Sequence, residues 1–255
     1  MAELITMEKS EGVAIVTIDN PPMNVLSMQV TKELDEVFKK LAEDSEVIAI
    51  ILTGNGEKAF MAGADIKEFP DREANKGVVD THAVFNRIEN IPKPTIAVLN
   101  GFTLGGGLEL ALLCDIRIAE DHVRVGLPEI NLGILPGGGG TQRLPRLIGN
   151  ARAKEVMFTG EPLSAEEAKE IGIVNRVIPK GRGVEEAAIL AEKFTNKSLQ
   201  SLSRIKHLVN VGSQLSLEEG LQMEQLLFDE IFVTQDAKEG VSAFIEKRKP
   251  EFTHK

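Results

Sequence analysis

The stretch Val47-Ile-Ala-Ile-Ile-Leu-Thr53 constrains the fold more than any other. A strand with one face in water alternates apolar and polar residues; an unbroken apolar run needs cover on both faces, as in a parallel sheet between helices. The flanking segments agree. Val13–Ile18 (VAIVTI) is β-branched and ends in Asp19-Asn20-Pro21-Pro22, which reads as a strand closed by a turn. Ser27 then precedes Val30, Leu34, Val37, Phe38 and Leu41, a helical spacing with Ser27 as N-cap. Thr95–Leu99 and Ile116–Ala119 read as further strands. Repeated strand–helix–strand order predicts α/β architecture.

Beyond about Asn150 the pattern turns helical. Ser164-Ala-Glu-Glu167 and Ser216-Leu-Glu-Glu219 both fit capping boxes, and the apolar piece Ile173–Ile178 lies between them. After about Thr195 no strand is expected. The chain therefore divides into an α/β core, residues 1–195, and a C-terminal helical region, residues 196–255. No internal repeat, low-complexity tract or flexible linker is visible. Leu221, Leu226, Leu227, Phe228, Ile231 and Phe232 form an apolar cluster that suits either core packing or a subunit interface.

Composition narrows the class. A length of 255 residues allows one large domain, or one domain and an appendage. The net charge of −10 argues against a dedicated nucleic-acid binder, which needs basic residues to neutralise phosphates. Trp and Tyr are absent, so aromatic contacts to a ligand fall to Phe. Cys114 is the only cysteine and forms no intrachain disulfide, which fits a reducing compartment. The N-terminal stretch MAELITMEKSEGV is acidic early and does not read as a secretory signal, and no apolar run approaches the ~20 residues that span a bilayer. A cytoplasmic protein is expected.

Four features bear on chemistry. Gly105-Gly106-Gly107 lies between a strand-like and a helix-like run, where free backbone N–H groups suit an oxyanion; a tight turn is the plainer reading. Phosphate motifs are missing: there is no GxxxxGK[ST] and no strict GxGxxG. In AFMAGADIK, residues 59–67, Ala62, Gly63 and Ala64 allow close approach to a ligand and Asp65 suits a helix cap. Two such segments, each with one free N–H, would make a two-donor oxyanion hole. Glu129, after Pro128, suits a first helical turn, and Gly137–Gly140 suits a close-approach loop or a plain connection. Glu109 sits among Leu108, Leu110, Ala111, Leu112 and Leu113. A carboxylate so placed is either satisfied structurally or is an acid–base group, with burial and its place near a helix start opposing each other. His82, His122, His207 and His254 show no metal spacing, Cys114 reads as packed, and no GxSxG elbow is present.

AFMAGADIKEF, KPTIAVLNGFTLGGGLELALLCDIRIA and GLPEINLGILPGGGGTQRLPRLIG resemble the signature stretches of the crotonase superfamily, specifically enoyl-CoA hydratases. The resemblance runs from IDNPPMNVLS to KEGVSAFIEKRKPEF. It implies a spiral of repeated ββα units followed by a helical trimerisation region, with assembly as a homotrimer or a dimer of trimers. Acyl-CoA thioesters are the implied substrates, within fatty-acid β-oxidation, with no metal or redox cofactor; the acidic charge and the lack of a long apolar run lead to the expectation of no nucleic-acid or membrane partner. By the same resemblance Ala64 and Gly106 supply the oxyanion-hole N–H groups. Glu109 and Glu129 are the catalytic pair, with Glu129 the proton donor to C2 and Glu109 the base or water-orienting partner. Ala62, Asp65, Ile66 and Lys67 line the CoA site, and Phe244 and Lys247 match tail positions that approach CoA. The turn Asn20–Val25 departs from the pattern by lacking a basic residue, which shifts the expected phosphate contact to Lys67 or Lys247. Leu127 stands where some relatives carry a polar residue. An enoyl-CoA isomerase or another acyl-CoA lyase is the runner-up, although keeping both glutamates favours hydration. AU-rich RNA binding and a non-catalytic scaffold are the alternatives from other classes.

Overall fold

Residues 3–70 and 79–254 are described by a computed structural model of the chain. Strands β1 (Ile5–Ser10) and β2 (Val13–Ile18) pair antiparallel around Glu11 and Gly12, whose φ values of 50° and 81° suit a two-residue hairpin turn. Helix α1 (Met28–Glu43) comes next, and Ser27 caps it by accepting the Val30 N–H at 3.2 Å. Three ββα units succeed it. The first contains β3 (Ala49–Gly54), β4 (Ala59–Ala62), a 3-10 turn (Ile66–Glu68) and α2 (Thr81–Glu89). β5 (Thr95–Leu99), β6 (Phe102–Leu104) and α3 (Gly106–Ala111) make the second. The third has β7 (Ile116–Glu120), β8 (Arg124–Gly126), a 3-10 turn (Pro128–Leu132) and α4 (Gly140–Ile148).

In each unit the first strand joins one sheet and the second strand joins another. The larger sheet has the order β1-β2-β3-β5-β7-β10 and is parallel from β2 onward; β10 is Arg176–Ile178. The smaller has the order β4-β6-β8-β9, with β9 (Leu163–Ser164) antiparallel to β8. The chain thus advances as an α/β spiral of ββα units, as the resemblance implies. Its repeat is invisible in the sequence because it lies in backbone path; the second strands are only three or four residues long.

Burial explains the apolar run. All of β3 and β5 is buried. Ile50, Leu52, Ala97 and Leu99 enter the main core, while Ala49, Ile51, Ile96 and Val98 pack beneath α7 (Gly183–Thr195). The strand starts two residues later than the apolar run suggests. Val47 and Ile48 are buried, but the Ile48 N–H donates to Gly12 O at the hairpin, so pairing with β2 begins only at Ala49. Likewise Ile173 and Val174 are buried without joining β10, because both N–H groups donate to Ala168 O at the end of α6 (Ala165–Glu170).

Helix α5 (Asn150–Thr159) precedes that segment, and α8 (Leu199–Gly212), α9 (Leu217–Phe232) and α10 (Gln235–Glu246) end the chain. Both capping boxes, at Ser164 and Ser216, are formed. No residue of α9 is buried, and Leu221, Leu226, Phe228 and Phe232 are exposed. Their cluster is therefore not part of this chain's core. Among the described residues, no helix is long and apolar enough to cross a membrane.

One close approach joins α3 to the smaller sheet. α3 lies so tightly on β4 that a Cβ on Gly107 would collide with the Met61 carbonyl. Backbone cannot yield there as a flexible side chain could. Gly107→Ala is expected to lower stability by about 1–3 kcal/mol, read as a lower urea midpoint at unchanged m-value.

Candidate active site

The C-terminal ends of β4, β6 and β8 deliver three segments to one place. After β4, Gly63 turns with φ 89° and the chain runs beside Leu26. The Leu26 N–H donates to Gly63 O at 2.8 Å and the Asp65 N–H donates to Leu26 O at 2.9 Å, a parallel bridge centred on Ala64. Such a bridge uses the N–H and C=O of the residues beside Ala64, so the Ala64 N–H points the other way. It points towards α3: a Cβ built on Gly106 would lie 3.7 Å from Ala64 N. Two carboxylates hold the segment. Asp65 Oδ1 accepts the Lys67 N–H at 3.0 Å, and Glu68 accepts the Met28 N–H at 3.0 Å, at the start of α1.

After β6, Gly105 adopts φ 52°, ψ −125°, a conformation side chains rarely tolerate. Its N–H donates to Gly126 O at 2.9 Å, which ties the second unit to the third. A Cβ on Gly105 would also lie 3.0 Å from Glu129 Oε1. Gly106 opens α3, so its N–H has no intrahelical acceptor, and it has no other partner among the described residues. Ala64 and Gly106 therefore present two free N–H groups side by side.

Glu109 is 4% exposed. Its Oε1 accepts the Gly138 N–H at 2.7 Å and the Gly140 N–H at 2.8 Å. Gly140 is the first residue of α4, so the carboxylate rests on a helix N-terminus. Burial nonetheless prevails and pushes the Glu109 carboxyl above its ordinary range. The two N–H donors, then Arg143 and His82, pull the other way. Glu129 is the second residue of the Pro128–Leu132 turn. Its Oε2 is buried and has no hydrogen-bond partner among the described residues. Burial raises this carboxyl to about 7; its own backbone N–H opposes the shift and the Glu109 charge adds to it. One glutamate is thus solvated by peptide dipoles, and the other is largely without them. Two carboxyl groups with such different surroundings are fitted to opposite ends of a proton transfer.

The remaining residues expected at a ligand site divide. Ala62 and Asp65 flank the Ala64 bridge, half-buried, with Ile66 and Lys67 exposed just beyond. Phe244 and Lys247 are exposed at the end of α10, which packs on α9. Leu127 is fully buried beside Gly140, and Phe85 beside Gly138. The Asn20–Val25 turn is held by amides: Asn24 Nδ2 donates to Ala59 O at 2.8 Å and Asn20 Nδ2 to Val25 O at 2.8 Å. Cys114 is buried, its thiol pushed up to about 12, so it is no nucleophile at neutral pH. His254 caps the start of α8, its Nδ1 accepting the Leu199 N–H.

Reading the sequence missed the donors to Glu109. Gly137–Gly140 suggested only a close-approach loop or connection. The available signal was its place directly before a helix, which leaves N–H groups free for an anion.

Residues 8–255 match the family described as Enoyl-CoA hydratase/isomerase. The chain is 44% identical to a short-chain-enoyl-CoA hydratase of Clostridium acetobutylicum over 97% of its own length and 96% of the relative's. It is 40% identical to a crotonyl-CoA hydratase of Syntrophomonas wolfei, with 99% of each covered. The crystal structure of an enoyl-CoA hydratase from Bacillus anthracis superposes with a TM-score of 0.95 at 39% identity, covering 99% of this chain and 100% of that one.

The Glu129 carboxyl, raised by burial, also bears on stability. The folded state holds this proton up to about 7, whereas the unfolded chain releases it in the ordinary carboxylate range. Stability is therefore lost as pH rises through that window. Glu129→Gln keeps the shape without the charge. It should raise Tm at pH 8 and have little effect at pH 5; a 1 kcal/mol gain would be roughly 2–4 °C for a chain this size.

Proposed function

This chain belongs to the enoyl-CoA hydratase/isomerase family, and from that premise we propose that it is an enoyl-CoA hydratase. It adds water reversibly to 2-enoyl-CoA thioesters to give 3-hydroxyacyl-CoA. The observation that carries the reading is the pairing of Glu109 and Glu129, in contrasting surroundings, beside the free N–H groups of Ala64 and Gly106.

Water is a weak nucleophile and C3 of the enoyl group a weak electrophile, so the reaction needs help at three atoms. At the thioester oxygen, the Ala64 and Gly106 N–H groups receive the negative charge that develops as C2–C3 loses its double bond. Removing one such donor typically costs ~3–4 kcal/mol of transition-state stabilisation. At C3, the water oxygen forms the new bond while its proton passes to Glu109, whose carboxylate accepts the Gly138 and Gly140 N–H groups and whose burial favours taking up that proton. At C2, the carbon receives the proton of Glu129, whose raised affinity leaves it protonated in part at neutral pH. The pair ends with its proton count unchanged, and Glu109 returns its proton to Glu129 before the next turnover. The Glu109 charge raises the proton affinity of Glu129, so the two titrations are linked.

The CoA moiety would lie along Ala62, Asp65, Ile66 and Lys67, with the phosphate contact on Lys67 or on Lys247. The exposed apolar face of α9 fits burial between subunits of a trimer, singly or as a dimer of trimers, which would also bring a neighbour's α10 with Phe244 and Lys247 towards the site. Residues 196–255 serve as the assembling region in this reading, and residues 1–195 as the catalytic core.

The deciding experiment tracks loss of the conjugated enoyl-thioester absorbance with crotonyl-CoA. Wild-type protein should turn over rapidly. Glu109→Gln and Glu129→Gln should each lower kcat on the order of 10²–10⁴-fold, the usual scale for a proton-transfer group. Full activity in either variant would exclude the two-glutamate mechanism. An inactive wild type that still binds acyl-CoA would turn the reading towards isomerisation.

A further inference from the structure

We infer that Arg143 is a positioning residue for this site: braced by Glu89, its guanidinium fixes the glycine loop so that the Gly138 and Gly140 N–H groups aim at Glu109. The inference rests on the hydratase reading and extends it from the reacting groups to the residues that hold them.

The geometry runs through one residue. Gly138 donates its N–H to Glu109 Oε1 at 2.7 Å, and its C=O accepts from Arg143 Nη1 at 3.2 Å. The same guanidinium forks onto Glu89, with Nε to Oε1 at 3.0 Å and Nη2 to Oε2 at 2.7 Å, and Nη2 also reaches Asn86 Oδ1 at 3.1 Å. Asn86 and Glu89 stand three residues apart on one face of α2. Phe85 of that helix is fully buried, and a Cβ on Gly138 would lie 3.1 Å from its ring. Helix α2 therefore fixes the loop twice, by packing beneath Gly138 and through Arg143 above it.

Gly139 provides the second observation. It adopts φ 109°, and a Cβ there would fall on Arg143 Nη1. The side chain crosses the loop at the point where the chain has no room for one of its own. Arg143 is 17% exposed and Glu89 30%, so the fork is shielded more than an ordinary surface pair. Lysine could supply the charge but not these four directed bonds from one plane.

The charged and titratable groups that act on Glu109 are Glu129 from the Pro128–Leu132 turn, Arg143 from α4 and His82 from α2, with Glu89 on α2 neutralising Arg143. Without Arg143 the loop loses its brace and Glu109 loses a cation. Both changes raise the proton affinity of Glu109, so the acid limb of the kcat profile should move to higher pH.

The test measures kcat, KM and the pH dependence of kcat with crotonyl-CoA for wild type, Arg143→Gln, Arg143→Lys and Glu89→Gln, alongside melting temperature. Arg143→Gln should lower kcat on the order of 10–100-fold, the scale of a slight misplacement of reacting groups, with KM little changed and the acid limb moved to higher pH. Arg143→Lys should recover the acid limb but not full kcat, and Glu89→Gln should show a smaller fall of the same kind. Wild-type kcat and acid limb in Arg143→Gln would overturn the inference. So would a loss explained entirely by a smaller folded fraction, with kcat per folded site and the acid limb unmoved. Should Arg143→Gln not fold, wild-type kcat and acid limb in both other variants would overturn it equally. Failure of the wild type itself to hydrate crotonyl-CoA would sink the hydratase reading, and the inference with it.

Discussion

A buried carboxylate held by peptide N–H groups is the interaction on which the site depends. Glu109 lies in a six-residue helix with every residue buried, where an isolated negative charge would not survive. Two N–H groups at the start of α4 face one of its oxygens, and α4 belongs to the next unit of the spiral. The second and third units must therefore be in register before the Glu109 carboxyl has these donors. The Gly105 N–H to Gly126 O bond makes the same connection one step earlier in the chain.

The spiral produces this arrangement directly. Each unit sends its second strand to the smaller sheet, and each of those strands leads into a different element of the candidate site: the Ala64 bridge, the Gly106 helix start and the Glu129 turn. Parallel pairing of β4, β6 and β8 brings those elements to the same edge. Glycine is needed there because backbone meets backbone or a side chain at contact distance. Gly107 lies over the Met61 carbonyl, and Gly105 stands against Glu129. Rigid scaffolding of this kind keeps backbone N–H groups in fixed directions.

Contrast between the two glutamates arises from where each hydrogen-bond donor comes from. Glu109 sits at a helix start that belongs to another segment, whereas Glu129 sits in a short turn that offers its own N–H and leaves Oε2 unmatched. The chemical difference between two identical side chains is therefore a property of backbone geometry, with Arg143 and α2 behind it.

Much of this was legible in the sequence. VIAIILT required cover on both faces, Ser27, Ser164 and Ser216 marked their helices, and the glycine and glutamate motifs carried the family resemblance. Local rules sufficed because each of these signals acts within a few residues. The repeat of the spiral was legible only through the resemblance, not as a repeat in the residues; the late start of β3 and the non-core character of α9 were not legible, since each depends on partners distant in sequence. The sequence by itself determined that Glu109 would be buried, through its apolar neighbours. Only the tertiary structure decided what that burial means: donors from Gly138 and Gly140, twenty-nine and thirty-one residues away, hold the charge, yet burial still outweighs them. Desolvation is set by nearby residues, but hydrogen bonding to a buried charge is set by whichever backbone the fold brings to it.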